Sequence, residues 1–543
     1  MMMRLPAGRA PGEPVTDAIT TFSDVRDQKA LRDAADVIVI GTGAAGSVVA
    51  GLLAERGVDV VMVEEGPHVR AEEFRTDMDS SLKRMWRDSG FQTAMGRAVT
   101  PVLQGRCVGG TTVINGAIMH RMPEPIHAIW QREHGLGDAF SYADLERAFD
   151  QLDIDLSVAE APESVLGGNS TLLRAGLAAR GLSGNAIARN VVGCRGSAHC
   201  NQGCPTDRKQ SMLVTFVPRA LAAGARLYAN CAARDFTWHA GRVGGVRARF
   251  RNEDGRPGPR LELQARHAVV VAASAVQTPL LLARAGIGRR SGLVGHRLQA
   301  HPGTAVVGAF HEPVQMRKGA TQGYESTHFW HERMKFETVS MPIELIAARL
   351  PGLGPALVEQ LANYDHLAVW GVQVRARAQG SVAQGLLGGT SIRYQLLPED
   401  VHVLKRGVRV LSELMFEAGA HTVYPGVFGL PDQIQSPDAL AALDALDDDP
   451  ARYHCIIAHL FGTALLGTAA SNSVVTTGLE AHDAPGLFVA DSSVFPTNLG
   501  VNPQHTISAV AFLLAEQLSE TVHRRRSILR ERPTSKAPVL QLS

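Results

Sequence analysis

The stretch Asp36-Val-Ile-Val-Ile-Gly-Thr-Gly-Ala-Ala-Gly46, followed by Val60-Val-Met-Val-Glu64, constrains this chain more than any other. It reads as a buried strand, a glycine turn, a helix and a second buried strand ending in an acid. Gly41 permits the sharp turn, Gly43 lets backbone approach a pyrophosphate, and Gly46 lets the helix pack close to the sheet. Ala44 and Ala45 open the helix, whose free N–H groups and positive dipole end suit phosphates. Glu64 ends the second strand, where a carboxylate accepts from ribose hydroxyls. A lone glycine triplet is a weak signal. Here strand, helix, the Gly57 stop and the terminal acid all fall at the expected spacing, so an ordinary glycine-rich turn is disfavoured.

At 543 residues, 45% of them apolar, the chain can bury one large core and is expected to form two domains or one domain with a cap. No uninterrupted apolar run reaches the roughly 18–20 residues a membrane span needs. The first residues, Met-Met-Met-Arg-Leu-Pro-Ala-Gly-Arg, carry no apolar signal core, so a cytoplasmic location is expected. A net charge of +1 argues against a general electrostatic partnership with nucleic acid. Only the end is strongly basic, at Arg524–Arg526, Arg530 and Arg532, and Pro533 and Pro538 suggest a frayed terminus there. Cys194, Cys200 and Cys204 cluster beside His199. Cys200 and Cys204 have zinc-like spacing, but no second pair follows, so a buried thiol loop or local disulfide is favoured and no metal is expected.

Along the chain, Thr16–Ala34 reads as a leader helix, and 68–100 as loop and helix with exposed charge. Gly105-Arg-Cys-Val-Gly-Gly-Thr-Thr-Val-Ile-Asn-Gly116 is a second glycine-rich segment. Ser211–Ala223 has helical spacing. Leu227–Phe236 and Val243–Phe250 alternate like strands about Ala240-Gly-Arg. His267–Ala273 reads as a buried parallel strand, and Ser274-Ala-Val-Gln-Thr-Pro279 leads into an apolar helix ending near Gly286. Residues 303–455 read as a separate sheet-plus-helix layer with a lid helix over Ile343–Tyr364, broken by Pro351. Leu487–Asp491 is a further buried strand and Thr506–Leu518 a strong helix.

Together these motifs resemble the glucose–methanol–choline (GMC) family of flavin oxidoreductases. The resemblance rests on the Gly41–Gly46 turn with Glu64-Glu65-Gly66, and on Gly105-Arg106 through Gly109-Gly110-Thr111-Thr112 to Asn115. It extends to Ser274–Gly288 and to the C-terminal set His459-Leu-Phe-Gly462-Thr463, Asp491-Ser-Ser-Val-Phe-Pro496 and Asn502-Pro503-Gln-His-Thr506. The cysteine loop and Lys209–Thr215 resemble a bacterial branch related to long-chain alcohol and sterol oxidases. The resemblance implies an α/β fold: a Rossmann-like FAD-binding domain and a discontinuous sheet-plus-helix substrate cap. The expected division is a leader over 1–33, FAD domain over 34–120, 190–302 and 456–523, cap over 121–189 and 303–455, and a basic tail over 524–543. FAD contacts are implied at Gly41, Gly43, Ala44, Ala45, Gly46, Glu64, Glu65, Arg106, Gly109, Gly110, Thr111, Asn115 and Gly116. Further contacts are implied at Ala233, Ala273, Asp491, Ser492, Asn502, Pro503 and Thr506. Relatives that attach FAD covalently carry histidine before the loop asparagine; Ile114 stands there, which implies noncovalent FAD.

The implied chemistry is oxidation of a primary or secondary alcohol by hydride transfer to flavin N5. FAD supplies the acceptor. His459 is the candidate base, because neutral imidazole titrates near working pH. Asn502 can donate to the substrate oxygen or face the flavin, or be a plain helix cap, and Pro503 suits the first helical position. His505 is expected to be satisfied or on a helix surface, and His301 to be structural. Met and aromatic residues of 324–341 either line a lipophilic pocket or form ordinary core; a lipophilic or steroid-like alcohol fits the former. Oxygen or another acceptor would reoxidise the flavin. The alternatives are a flavin lyase or decarboxylase on the same fold, and a nicotinamide-binding or redox-sensing protein without turnover.

Overall fold

The computed structural model describes residues 18–136, 140–385 and 388–531. Its first sheet is built on the apolar run Val37–Ile40, nearly devoid of solvent contact. The strand Ala30–Ile40 is flanked in parallel by Val60–Val63 on one side and Pro257–Val271 on the other. Arg226–Tyr228 and Ile19–Thr20 extend the first edge, and Leu487–Val489 joins Pro257–Val271 in parallel. The antiparallel pair Cys231–His239 and Arg242–Arg251 completes the other edge. Parallel strands need helical crossovers, and these cover the faces. Helix Gly46–Glu55 packs between Phe216–Ala222 and the long final helix Gln504–Glu531. Close approach depends on Gly51, where a Cβ would stand 2.9 Å from the Phe216 ring.

The second sheet is centred on His296–Ala309, which pairs antiparallel with Leu367–Val374, Gly380–Gln384, Thr422–Tyr424 and Ile456–Phe461. Met334–Thr338 and Tyr324–Ser326 continue it beyond Leu367–Val374. Helices Gly167–Ala179 and Pro398–Glu417 pack beside it, burying Leu173, Leu177, Leu404, Val408 and Leu411 with Phe336 and Trp370 in a second core. His301 on His296–Ala309 and His459 on Ile456–Phe461 stand opposite one another in this sheet.

Several expectations change. The helix expected over 16–34 is not formed in its described part: Phe22–Val25 is a single turn, and Ala30–Ala35 pair in register with Arg260–Ala265. Residues 18–33 thus belong to the first sheet rather than to a leader; residues 1–17 lie outside the described part. The frayed terminus is likewise replaced as far as Glu531 by helix. Arg526 there reaches Asp36, and donates to the Gly57 carbonyl at 3.0 Å; residues 532–543 lie outside the described part. Helices Glu124–His134 and Tyr142–Asp155, expected in the cap, bury Ile126, Trp130, Leu145, Phe149 and Leu152 in the first core. Ser211–Ala223 is helical only over Phe216–Ala222. The lid helix is broken about Pro351 as expected, into Ile343–Ala347 and Pro355–Ala362.

Candidate active site

The turn after Ala30–Ile40 is glycine by necessity at two positions. Gly41 has φ +96°, and a Cβ there would run into the Ala272 carbonyl; one at Gly46 would meet Gly41 backbone carbon at 3.0 Å and Ala272 Cβ at 3.2 Å. Gly43 is different: a Cβ there would meet nothing within 4 Å. Ala44 and Ala45 lead into the helix, and Ser508 of the final helix donates to the Ala44 carbonyl at 3.0 Å. Glu64 is buried, accepting from the Thr42 amide and hydroxyl at 3.0 and 2.9 Å and from the Gly66 amide at 2.9 Å. Burial pushes its carboxyl up. Burial also acts to raise Glu65, but its ion pair with Arg87 and the nearby Arg106 outweigh it.

The second glycine segment closes over this turn. The Gly109 amide donates to Thr42 Oγ1 at 3.0 Å, and a Cβ on Gly110 would lie 2.8 Å from Gly43 Cα. Arg106 is fixed by its amide on the Met85 carbonyl at 2.7 Å, and Thr111 Oγ1 accepts from Gly105 at 3.0 Å. Asn115 spans outward: its Nδ2 donates to Gln504 and its Oδ1 accepts from the Ala117 amide at 3.1 Å. Gly116 has no room for a side chain because Gln322 fills the space. Ala233 follows Cys231, whose amide donates to the Glu64 carbonyl at 2.8 Å. Ala273 donates to Thr278 Oγ1 at 3.2 Å. Asp491 accepts from Thr278 Oγ1, the Ser274 amide and the Ser493 amide at 2.5, 2.9 and 2.8 Å. Burial raises its carboxyl against these bonds. The Ser492 carbonyl accepts from Gly462 at 3.1 Å, joining this turn to the segment after His459. Thr506 Oγ1 is buried without a partner among the described residues. Contacts thus join the turn at Gly41–Gly46 to Glu64, to the second glycine loop and to the final helix, and the Asp491–Ser492 turn to Ser274 and Gly462.

His459 stands opposite His301 in the antiparallel register, with Nδ1 to Nδ1 at 3.3 Å. The Gly500 amide donates to His301 Nε2 at 2.8 Å. Neutral His301 therefore carries its proton on Nδ1, facing His459. Burial, then Lys335 and His120, hold His459 down at about 3, so its ring is neutral at working pH. His301 is also held well below its ordinary value, by burial and then by His459. It is the direct partner of His459.

Asn502 does not cap the final helix. Its Oδ1 accepts from Lys335 Nζ at 2.6 Å, while the Pro503 carbonyl accepts the helical bond from Ile507 at 2.9 Å. Pro503 thus stands just before the helix, one place earlier than expected. His505 is buried rather than on a helix surface, packed edge-on against Phe149 at 4.7 Å, with its Nε2 3.3 Å from Asp153 Oδ1. Sequence reasoning missed Thr42, Lys335, Glu325, Glu337 and His120. Met334, Phe336 and Tyr324 belong to the second core, whereas Lys335 and Glu337 alternate onto the face toward Asn502. Cys194, Cys200 and Cys204 are free thiols, and among the described residues no three metal-ligating side chains converge. Burial acts to raise Cys200, but Arg189 and Lys209 outweigh it and hold the thiol below its ordinary value.

The open space at Gly43, hemmed by Gly41, Gly46 and Gly110, is a cradle that any side chain would fill, and it lies at a helix N-terminus that favours phosphate. Such a site fits the pyrophosphate of FAD. Among the described residues no helix is long and apolar enough to cross a membrane. Comparison with known proteins agrees with the geometry. An uncharacterized GMC-type oxidoreductase of Mycobacterium tuberculosis is 35% identical over 487 residues, 89% of this chain and 75% of the relative. Long-chain-alcohol oxidase FAO1 of Arabidopsis thaliana is 25% identical, over 92% of this chain and 69% of its own. Formate oxidase of Aspergillus oryzae, in which FAD modification has been followed, superposes with a TM-score of 0.69 at 17% identity. It covers 91% of this chain and 99% of the oxidase. Family and fold together support FAD as the cofactor. Residues 35–303 match the N-terminal and 389–511 the C-terminal part of the GMC oxidoreductase family, and the chain belongs to that family.

Proposed function

We propose that this oxidoreductase converts a primary or secondary alcohol to its carbonyl, with noncovalent FAD and with His459 and Asn502 at the substrate oxygen. The supporting observation is a neutral, half-buried imidazole and a fixed carboxamide that share one neighbour, Lys335, whose charge acts on His459 and whose ammonium holds Asn502. Bound FAD supplies a hydride acceptor. The turn at Gly41–Gly46 would hold its pyrophosphate, Glu64 its ribose, and Gly109–Gly116 its ring system. Ile114, buried in the first core, offers no nucleophile for a covalent link. His459 takes the hydroxyl proton as carbinol hydride departs. Long-chain-alcohol oxidases among the relatives support a lipophilic alcohol; Tyr324, Met334 and Phe336 do not, being core. Oxygen or another electron acceptor then reoxidises the cofactor.

A second reading of His459 rests on Gly500. With Nδ1 of His301 donating to Nδ1 of His459, the proton of neutral His459 sits on Nε2, making the ring a donor to the alcohol oxygen rather than its base. Anaerobic mixing with a panel of alcohols tests the function: bleaching of the flavin band near about 450 nm is expected, and a flavin indifferent to every alcohol refutes it. His459→Ala should slow that reduction by roughly 10²–10⁴-fold with FAD retained. His459→Gln separates the readings, since glutamine donates but cannot act as a base; a rate close to wild type selects the donor.

A further inference from the structure

Lys335 has no solvent-exposed side-chain area, on a strand whose neighbours Met334 and Phe336 point into apolar core. Its ammonium meets three acceptors: Glu325 at 2.8 Å, Glu337 at 3.0 Å and Asn502 Oδ1 at 2.6 Å. An ammonium has three donors and no acceptor, so this set saturates it. Burial works to discharge the lysine, but the two carboxylates outweigh it and raise its pKa. Glu325 is in turn held by His120 Nε2 at 2.9 Å, and Glu337 by Gln322 Nε2 at 2.7 Å. Gln322 is the side chain that fills the space beside Gly116, so the cluster links the second glycine loop to Asn502.

The chemistry of Lys335 settles which way the carboxamide faces. A group that can only donate must be met by the amide oxygen. The Asn502 Nδ2, which has no partner among the described residues, is then turned the other way. Without the ammonium the two faces of the amide would be nearly equivalent, and a half-turn would offer the substrate an acceptor in place of a donor. We propose that Lys335 is a positioning residue that locks Asn502 with its N–H donors toward the substrate oxygen. Lys335 reaches the reaction only through Asn502, and its two glutamates keep the ammonium charged without leaving net positive charge in the core. The proposal rests on the alcohol-oxidising reading of the site.

The test is a double-mutant cycle on the FAD-loaded protein. Lys335→Met is made together with Glu325→Gln, so that one cation and one anion leave at once, and both are combined with Asn502→Ala. Two readouts are taken: the rate of flavin reduction by the best alcohol, and the affinity for sulfite, which adds to flavin N5 without any alcohol. The Lys335 variant is expected to lose roughly tenfold or more in each, the scale of one charge-assisted hydrogen bond. It should lose no further factor beyond about two when Asn502 is already alanine. Equal losses in the presence and absence of Asn502 overturn the proposal, as does an unchanged Lys335 variant. Should the Lys335 variant not fold, Asn502→Asp decides: it keeps an oxygen on Lys335 but removes the donor, and must reduce as slowly as Asn502→Ala; wild-type rates overturn the proposal. A wild-type flavin inert to alcohols, with a non-additive sulfite cycle, sinks the substrate reading and leaves the Lys335 assignment standing.

Discussion

Replacing Gly43 and Gly46 by alanine, one at a time, should separate cofactor binding from folding. The Gly46 site is closed by backbone: a new methyl would stand 3.0 Å from Gly41 carbon and 3.2 Å from Ala272 Cβ, and closer still to the Gly41 carbonyl oxygen. Backbone cannot swing aside as a side-chain tip can, so helix and strand must separate, at a cost of about 1–3 kcal/mol or more. Gly43 has empty space within 4 Å of the same methyl. Its replacement should leave the flavin-free protein as stable as wild type, or slightly more so through the stiffer unfolded chain. The methyl would instead occupy the path of the pyrophosphate. Displacing a phosphate from two charged hydrogen bonds, at about 1.5–3 kcal/mol each, costs roughly 3–6 kcal/mol. That corresponds to about 10²–10⁴-fold in affinity. Urea unfolding of the stripped proteins and titration of FAD by fluorescence quenching read the two effects. Full FAD affinity in Gly43→Ala, or destabilisation equal to that of Gly46→Ala, refutes the assignment of this turn to the pyrophosphate.

Acid or heat should release FAD into the supernatant, because Ile114 offers no atom for a covalent bond; flavin retained in the precipitate contradicts this. His505 is held at about 3, by burial first and Arg121 second. The unfolded chain therefore binds the proton more readily between that value and about 6.5, and stability must fall as pH drops through the window. His505→Leu should flatten the fall by up to roughly 1.4 kcal/mol per pH unit, measured by urea unfolding at pH 6 and 4.5; an unchanged slope refutes the neutral burial.

What could be read from sequence follows from how local each signal is. The hairpin about Ala240-Gly241 was legible because alternation and a turn sit within twenty residues, and Gly241 takes the positive φ the turn requires. Asp36–Gly46 was legible because strand, turn and helix are consecutive. Thr16–Ala34 misled because its spacing favours a helix in isolation, whereas Ala30–Ala35 gain a full ladder from residues 260–265 that no local window contains. The partners at the site were hidden for the same reason. His301 is paired with His459 by strand register across 158 residues, and Lys335 with Asn502 across 167. The alternation Met334-Lys335-Phe336-Glu337 did hold a usable signal: with Met and Phe on one face, Lys and Glu must share the other. The complete burial of Lys335 could come only from the elements that close over it.

Positive charge recurs around the second glycine loop in a form that explains the cysteine cluster. Lys209, almost fully buried, donates to the carbonyls of Val113, Asn115 and Cys200 at 2.6, 3.0 and 2.7 Å; Arg189 donates to the Gly116 carbonyl at 3.1 Å and to Cys200 sulfur at 3.0 Å. Neither cation meets a carboxylate among the described residues. Carbonyls satisfy their donors but not their charge, and an uncompensated buried charge is strongly destabilising. Among the described residues Cys200 is the ionisable group that meets Arg189, whose charge, with that of Lys209, outweighs burial and holds the thiol below its ordinary value. Burial lowers Lys209 to about 8, so the ammonium itself is only moderately favoured. The carbonyls of Val113, Asn115 and Gly116 are thereby turned toward two cations, while the Gly109 amide of the same loop donates to Thr42. Two buried cations thus hold the carbonyls of this loop as Lys335 holds the Asn502 carboxamide: in each case a group that can only donate fixes which way a polar group faces.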